Sequence, residues 1–469
     1  MLRDRYEPVD LLALVPQLDL HFEPQLAQLD RLLDDDEIFA RVRADLGRRY
    51  PLTRVHGRPS TPVEVVLRML VVMRLYGWSY AQTEYFVHDS LVLRQFCRVY
   101  LEKVPDDTVL IRWAHTIGPE TLQALNDRIV QLARSLKVTR GRKLRVDTTA
   151  VETNIHYPTD SALLGDGVRV LSRLLKRARV VLGKAAATLG PGAFRSRVRT
   201  VRRLAQRLHR IARRKGTEAR DALKAAYRRL IETARRTSHQ ARRVLEVLQR
   251  RTKPPAQRLV QRISLVLPLL IQGIQQASRR VLDGKAVPAG EKVLSLFEPH
   301  TQIIPRFKAG KPVEFGRKIR LDEVEGGIIT GYAILAQGGG QDQPYLKDGL
   351  AAHRKHFGRA PDLLAADRGM ASAANERLAQ EAGVKQIALP QVGKTSAERR
   401  TLEKGSRFRR GYRFRAGIEG RIHVLRRDRG LKRCRYRGEG GMGRWVGWGM
   451  VTHNLVQIAA RGAEVGSAR

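Results

Sequence analysis

Apolar residues recur along this chain in two rhythms, and the switches between them divide it. Up to about residue 137 the rhythm is helical. The segment 62–76, PVEVVLRMLVVMRLY, has Ser60 or Thr61 placed as N-cap and Pro62 at the first helical position, and Gly77 follows its end. Pro105, Asp106, Asp107 and Thr108 open a further helix that carries Trp113. Such a run of short helices with turns between them predicts a domain that either presents a helix to a DNA major groove or serves packing and dimerisation.

Between 138 and 157 the period falls to two. Leu144 and Val146 alternate with charged positions and Asp147, Thr148 and Thr149 follow, which predicts a strand ending on an acid. Spacings of three and four return over 168–281, as at Leu171, Leu174, Ala178 and Val181. Breaks at Gly190-Pro191-Gly192, Lys215-Gly216 and Pro254-Pro255 turn that stretch into a set of antiparallel helices. From Pro299 the strand pattern resumes. Val313, Phe315, Ile319 and Leu321 alternate with polar positions, Glu325-Gly326-Gly327 turns the chain, and 328–335 returns as the second arm of a hairpin. A helix from Pro344 to Gly358, a strand at 363–366, a helix capped by Ser372 and stopped by Gly383, and a strand at 385–389 complete the order. The expected fold class is a mixed α/β sheet built around a βαβ unit. An all-α N-terminal domain (1–137) precedes it, and a helical insertion (161–295) splits the sheet domain into 138–160 and 296–465.

Charge changes the picture more than length does. The 469 residues carry 88 Lys and Arg against 46 Asp and Glu, a net +42 that repels itself unless a polyanion is the partner. Over 168–287 the acids are Glu218, Asp221, Glu232, Glu246 and Asp283 alone, so arginines such as Arg202 and Arg203 lack salt-bridge partners one turn away. Nucleic acid is preferred over membrane. The apolar stretch 65–75 is broken by Arg68 and Arg74, and 263–274 is shorter than the roughly 20 residues a span needs. The first twenty residues hold acids and prolines where a signal peptide has a basic and then an apolar region, so a cytoplasmic, nucleoid-associated protein is expected. Cys97 and Cys434 have neither disulfide nor zinc-ligand spacing.

Three acids remain as candidate chemistry: Asp147 in KLRVDTT, Asp367 in DLLAADRGM and Glu419 in YRFRAGIEGRIHVLR. The first two sit at ends of predicted strands, where side chains emerge into a crevice. On a helix, Tyr412, Arg415, Glu419, His423 and Arg426 share one stripe, while Ile418, Ile422 and Leu425 form an apolar stripe that can pack on the sheet. Hard oxygen ligands suit Mg²⁺, and two ions about 4 Å apart can activate the attacking oxygen of a phosphodiester reaction and stabilise the leaving one. Arg415 and Arg426 would hold phosphates, and Tyr412 would hydrogen-bond or stack against the strand. Taken singly, each acid also has a structural role open to it: a cap for Asp147, a turn for Asp367, an i,i+4 partner of Arg415 or His423 for Glu419. His156 and His453 read as structural.

These segments, together with VDTTAVETNIHYPTDSALLGDG, FEPHTQIIPRFKAGKPVEFGRKIRLDEVEGG and the tail HNLVQIAARG, resemble the bacterial insertion-sequence transposases of the DDE class. The resemblance covers most of the chain outside the basic helices. It implies an RNase H-like catalytic domain, two Mg²⁺ ions that Mn²⁺ is expected to replace, cleavage at element ends and strand transfer into target DNA by a homodimer. Its Tyr-x2-Arg-x3-Glu-x6-Lys signature falls on Tyr412, Arg415, Glu419 and Arg426, with arginine in place of the final lysine. Two rivals stand beside it: a metal nuclease of the same fold that does not join strands, and a non-enzymatic basic protein that binds nucleic acid.

Overall fold

The computed structural model describes residues 1–14, 21–48, 52–53, 55–308, 310–336, 342–391 and 393–467. They form two compact units, Met1–Thr153 with Gly316–Arg469, and Asn154–Phe315.

The first unit begins with seven helices: α1 (Pro24–Leu33), α2 (Asp36–Gly47), α3 (Val63–Tyr76), α4 (Tyr80–Asp89), α5 (Leu91–Phe96), α6 (Asp107–Thr116) and α7 (Pro119–Ser135). α3 is buried without interruption from Val63 to Arg74, which is why its sequence is apolar on every face. Its N-cap is Pro62 itself. The expected cap Ser60 turns away and donates from Oγ to the Thr61 carbonyl at 3.0 Å. Gly77 ends the helix in the left-handed region (φ 70°), and Asp106 caps α6 by accepting from Val109 N at 2.7 Å.

β1 (Lys143–Glu152) follows, and it corrects the expectation of a strand ending on Asp147. The acid stands in mid-strand because Thr148, Thr149 and Val151 continue the β-branched run. The chain then enters the second unit with α8 (Asp160–Leu182), α9 (Val198–Ile211), α10 (Thr217–Gln249) and α11 (Pro254–Ala277). α8 starts ahead of the predicted helical rhythm because Thr159 accepts from Ala162 N at 3.1 Å and caps it. Leu164, Val168, Leu171, Leu230, Ala234, Ile263 and Leu270 make this unit's own core. Gly167 allows α11 close to α8, since a Cβ there would stand 2.5 Å from Leu270.

β2 (Gln302–Lys308), β3 (Lys311–Val324) and β4 (Ile328–Ile334) come next. β2 was not foreseen: Pro305 inside TQIIPRFK demotes a sequence from strand, although edge strands tolerate it. The rest of the first unit is α12 (Tyr345–Phe357), β5 (Leu363–Ala366), α13 (Ala373–Glu381), β6 (Gln386–Ala388), α14 (Ala397–Lys404), α15 (Ser406–Asp428) and α16 (Gly438–Ser467). The six strands form one mixed sheet in the order β2-β3-β1-β5-β6, with β4 also on β3. β1 is antiparallel to β3 and parallel to β5, and β5 is parallel to β6. The predicted hairpin is β3–β4, turned at Gly326 and Gly327 (φ 89° and 77°), with a bulge between Asp322 and Glu323. No described helix is long and apolar enough to cross a membrane.

Candidate active site

The parallel pairing of β1 with β5 sets the site. Val146 lies opposite Ala366, the last pair in register, so Asp147 and Asp367 leave two neighbouring strands one step further on. Asp147 is held by β3 on its other side, opposite Leu321, while β5 stops and Asp367 opens a short 3-10 turn, accepting from Arg368 N at 2.7 Å. Glu419 comes from α15, whose buried Ile418 and Leu425 carry out the predicted packing and whose Phe408 joins Leu363, Ala365 and Ala388 in a small cluster. Tyr412 packs, partly buried, against the same cluster.

One side chain meets all three acids. The Arg415 guanidinium contacts Asp147 Oδ2 at 3.2 Å and Asp367 Oδ1 at 3.3 Å through Nη2, and Glu419 Oε1 at 2.9 Å through Nη1. Burial opposes the Arg415 charge, yet Asp147, Asp367 and Glu419 hold its pKa above the ordinary arginine value. Burial also pushes the Asp147 carboxyl up to about 6, against the pull of Arg415 and with Asp367 and Asp342 adding to the rise. Asp147 is the fixed member: its side chain is 10% exposed, against 47% for Asp367 and 69% for Glu419. The Nε of Arg415 is buried with no hydrogen-bond partner among the described residues.

Arg426, from the same signature, is not in this cluster. It lies two helical turns on, donating to the Ala150 carbonyl at 3.1 Å. Four residues of importance here escape the sequence reading: Asp342, Arg145, Glu323 and Arg421. Asp342 accepts from Thr148 Oγ1 at 3.0 Å and pairs with Lys318, which adds a fourth carboxylate beside Asp147. Arg145 pairs with the fully buried Glu323 at 2.6 Å and reaches the Phe414 carbonyl on α15, and Arg421 of α15 reaches Glu323 at 3.2 Å. This network pins the helix of Glu419 to the sheet. A sequence shows such pairs only as ordinary surface charges. Of the two histidines read as structural, His453 is fully buried against the Gly327 carbonyl at 3.0 Å, and His156 stands 3.6 Å from Asp166.

Among the described residues no group of three or more His, Cys, Asp or Glu side chains is arranged to hold a metal ion, and the Arg415 guanidinium occupies the middle of the acids. The donor set still fits a hard divalent cation. It is all carboxylate oxygen, it already shares one positive group, and two of its members, Asp367 and Glu419, are exposed beside the buried Asp147.

Known proteins give two matches. A family model described as "Transposase domain (DUF772)" matches residues 10–116, and one described as "Transposase DDE domain" matches residues 275–455. Among curated proteins and solved structures, nothing matches the chain.

Proposed function

Because the chain belongs to the insertion-sequence transposases of the DDE class, we propose that it cuts the ends of a mobile element and joins them to target DNA by transesterification at Asp147, Asp367 and Glu419. The observation that carries this reading is the convergence of three acids, distant in sequence, on the one guanidinium of Arg415. The mixed sheet with its helical N-terminal part supports the RNase H-like fold that the family implies.

Asp147, Asp367 and Glu419 would hold two Mg²⁺ ions, which when bound supply activation of the attacking oxygen and stabilisation of the leaving one. Asp147 gives the site its rigidity, since it is buried and stands in mid-strand on β1, paired with Leu321 of β3 one step beyond the last β1–β5 pair. Glu419 is aimed by α15, held through Arg145 and Glu323. Arg415, Arg426 and Tyr412, which share α15 with Glu419, would position the DNA phosphates. No covalent protein nucleophile is needed. The partner is DNA, both element ends and target, bound by a homodimer in the cytoplasm at the nucleoid.

The test supplies purified protein with Mg²⁺, element-end DNA bearing labelled 3′-hydroxyls, and target DNA. Joined products are expected. Asp147→Ala and Glu419→Ala should each reduce them by about 100-fold or more, some 3 kcal/mol of lost stabilisation. Joining that persists in either variant rejects the assignment. Cutting without joining leaves a nuclease, and salt-sensitive binding without cutting leaves a basic DNA-binding protein.

A further inference from the structure

The second unit carries two kinds of surface. On α9 and α10 the outward positions are arginines such as Arg202, Arg203, Arg228 and Arg235, and from Leu182 to Ser264 no large apolar side chain among the described residues is exposed. That composition suits a phosphate backbone, which offers charge and no apolar area.

The face shared by α8 and α11 differs. The end of α8 and the start of α11 lie side by side, and Arg177, Val180 and Val181 line a groove of about 510 Å³ together with Arg258, Leu259 and Arg262. Val180 is 79% exposed, the most of any large apolar residue described, and Val181 39%. Leu265, a turn beyond Arg262 on the same side of α11, is 71% exposed. The core side of α8 is complete without the two valines, being made by Leu174, Leu175, Ala178 and Leu182. A β-branched residue facing water on a helix lowers its propensity and leaves apolar area unburied, so neither valine helps the helix that carries it. Grouped apolar exposure rimmed by polar residues marks a surface that another molecule covers.

Charge narrows what that molecule is. α11 has no Asp or Glu between Pro254 and Ala277, and the two acids of α8 stand at its other end, Asp160 paired with Arg280 at 2.9 Å and Asp166 with Arg169 at 2.6 Å. The rim arginines therefore receive no carboxylate from their own helices. The occupant has to bring apolar side chains and anions together. A DNA backbone lacks the first. The acidic run at the start of this chain lacks free examples of the second, since Asp34 pairs with Arg68 at 2.6 Å, Asp35 with Arg128 at 2.7 Å and Glu37 with Arg128 at 3.1 Å, so a second copy does not offer it. An amphipathic helix with acidic flanks supplies both, because residues spaced three and four apart fill a groove while the flanks meet its rim.

We propose that the α8–α11 groove docks an acidic amphipathic helix of another protein, with apolar side chains on Val180, Val181 and Leu265 and carboxylates on Arg177, Arg258 and Arg262. The surface belongs to the second unit, whereas the three acids belong to the first, so this assignment stands or falls apart from the strand-joining reading.

The full-length protein is titrated, by fluorescence anisotropy, with a labelled peptide of about 18 residues, long enough to form a helix, that carries Leu on one face and Glu on both flanks. A scrambled peptide of the same composition and a version with Lys for Glu are run beside it. The amphipathic peptide should bind at least tenfold more tightly than the scrambled one. Val180→Ser with Val181→Ser should weaken it by about tenfold, the scale of one buried valine, and leave duplex DNA affinity unchanged. Arg258→Glu with Arg262→Glu should weaken the Glu peptide by about tenfold or more and admit the Lys peptide in its place. Equal binding of the scrambled peptide, or no binding of either, overturns the proposal. Loss of duplex affinity in the valine variant overturns it in favour of DNA. Self-association that the same variant abolishes in sedimentation velocity overturns it in favour of a second copy. If the arginine variant fails to fold by circular dichroism, the valine variant and the scrambled peptide still decide.

Discussion

Arg415 is the internal counter-charge of the candidate site. Three carboxylates a few ångströms apart repel one another, and a planar guanidinium with five N–H groups can satisfy all three at once where a lysine would meet one or two. The burial that lifts Asp147 also keeps water from weakening its contact with Arg415. His453 shows the opposite use of burial. Its Nε2–H donates to Gly327, desolvation lowers its pKa to about 3, and the nearby Arg421 and Arg429 push the same way. The unfolded chain takes up a proton as pH falls below about 6.5 while the folded one refuses it, so stability is full above that pH and is lost on the way down to about 3. The slope is up to about 1.4 kcal/mol per pH unit for this one group. His453→Gln keeps a donor for Gly327 without the proton uptake, so the fall of thermal midpoint between pH 7 and 5 should be shallower than in the unaltered protein. Equal slopes would show that other groups govern acid sensitivity.

At the scale of elements, the candidate site depends on how β1 is gripped from both sides. Gly316 faces Glu152 in the β1–β3 pairing, and a Cβ there would stand 2.0 Å from the Val151 carbonyl oxygen, which is backbone and cannot yield cheaply. Gly316→Ala should therefore cost about 3 kcal/mol or more, read as a lowered thermal midpoint together with reduced strand joining, since the displaced strand carries Asp147. A normal midpoint would mean that β3 shifts without disturbing β1. Most elements could be read from the sequence because a local device marks them: Gly77 and Gly358 end α3 and α12 in the left-handed region, and Ser372 caps α13 by accepting from Asn375 N. The convergence of Asp147 with Asp367 could be anticipated only as far as strand ends were, and the register that sets it is a tertiary fact. Asp342 and the Arg145–Glu323–Arg421 network were out of reach for the same reason: pairings across 98 to 194 residues leave no periodic trace. β2 was hidden by its proline, and the length of β1 by an acid that resembles a strand end.

For the whole molecule, the net charge of +42 needs a place to act, and the second unit supplies one. In α9 Val201, Leu208 and Ile211 turn inward while Arg199, Arg202, Arg203, Arg207 and Arg210 are all exposed. Self-repulsion along such a face is a standing cost in the free protein, and a polyphosphate backbone removes it by displacing its own condensed counterions. Each arginine that neutralises a phosphate contributes about 0.9 to the slope of log affinity against log salt concentration. Replacing these five with glutamine leaves the buried stripe intact, so the helix should remain folded by circular dichroism. The slope for duplex DNA should then fall by up to about 4.5, with the affinity difference largest at low salt and closing as salt rises. Strand joining on short end fragments under saturating protein should persist, because the acids and Arg415 belong to the first unit. An unchanged slope would assign the α9 face to packing against another protein surface and move the phosphate contacts to the basic residues of the first unit.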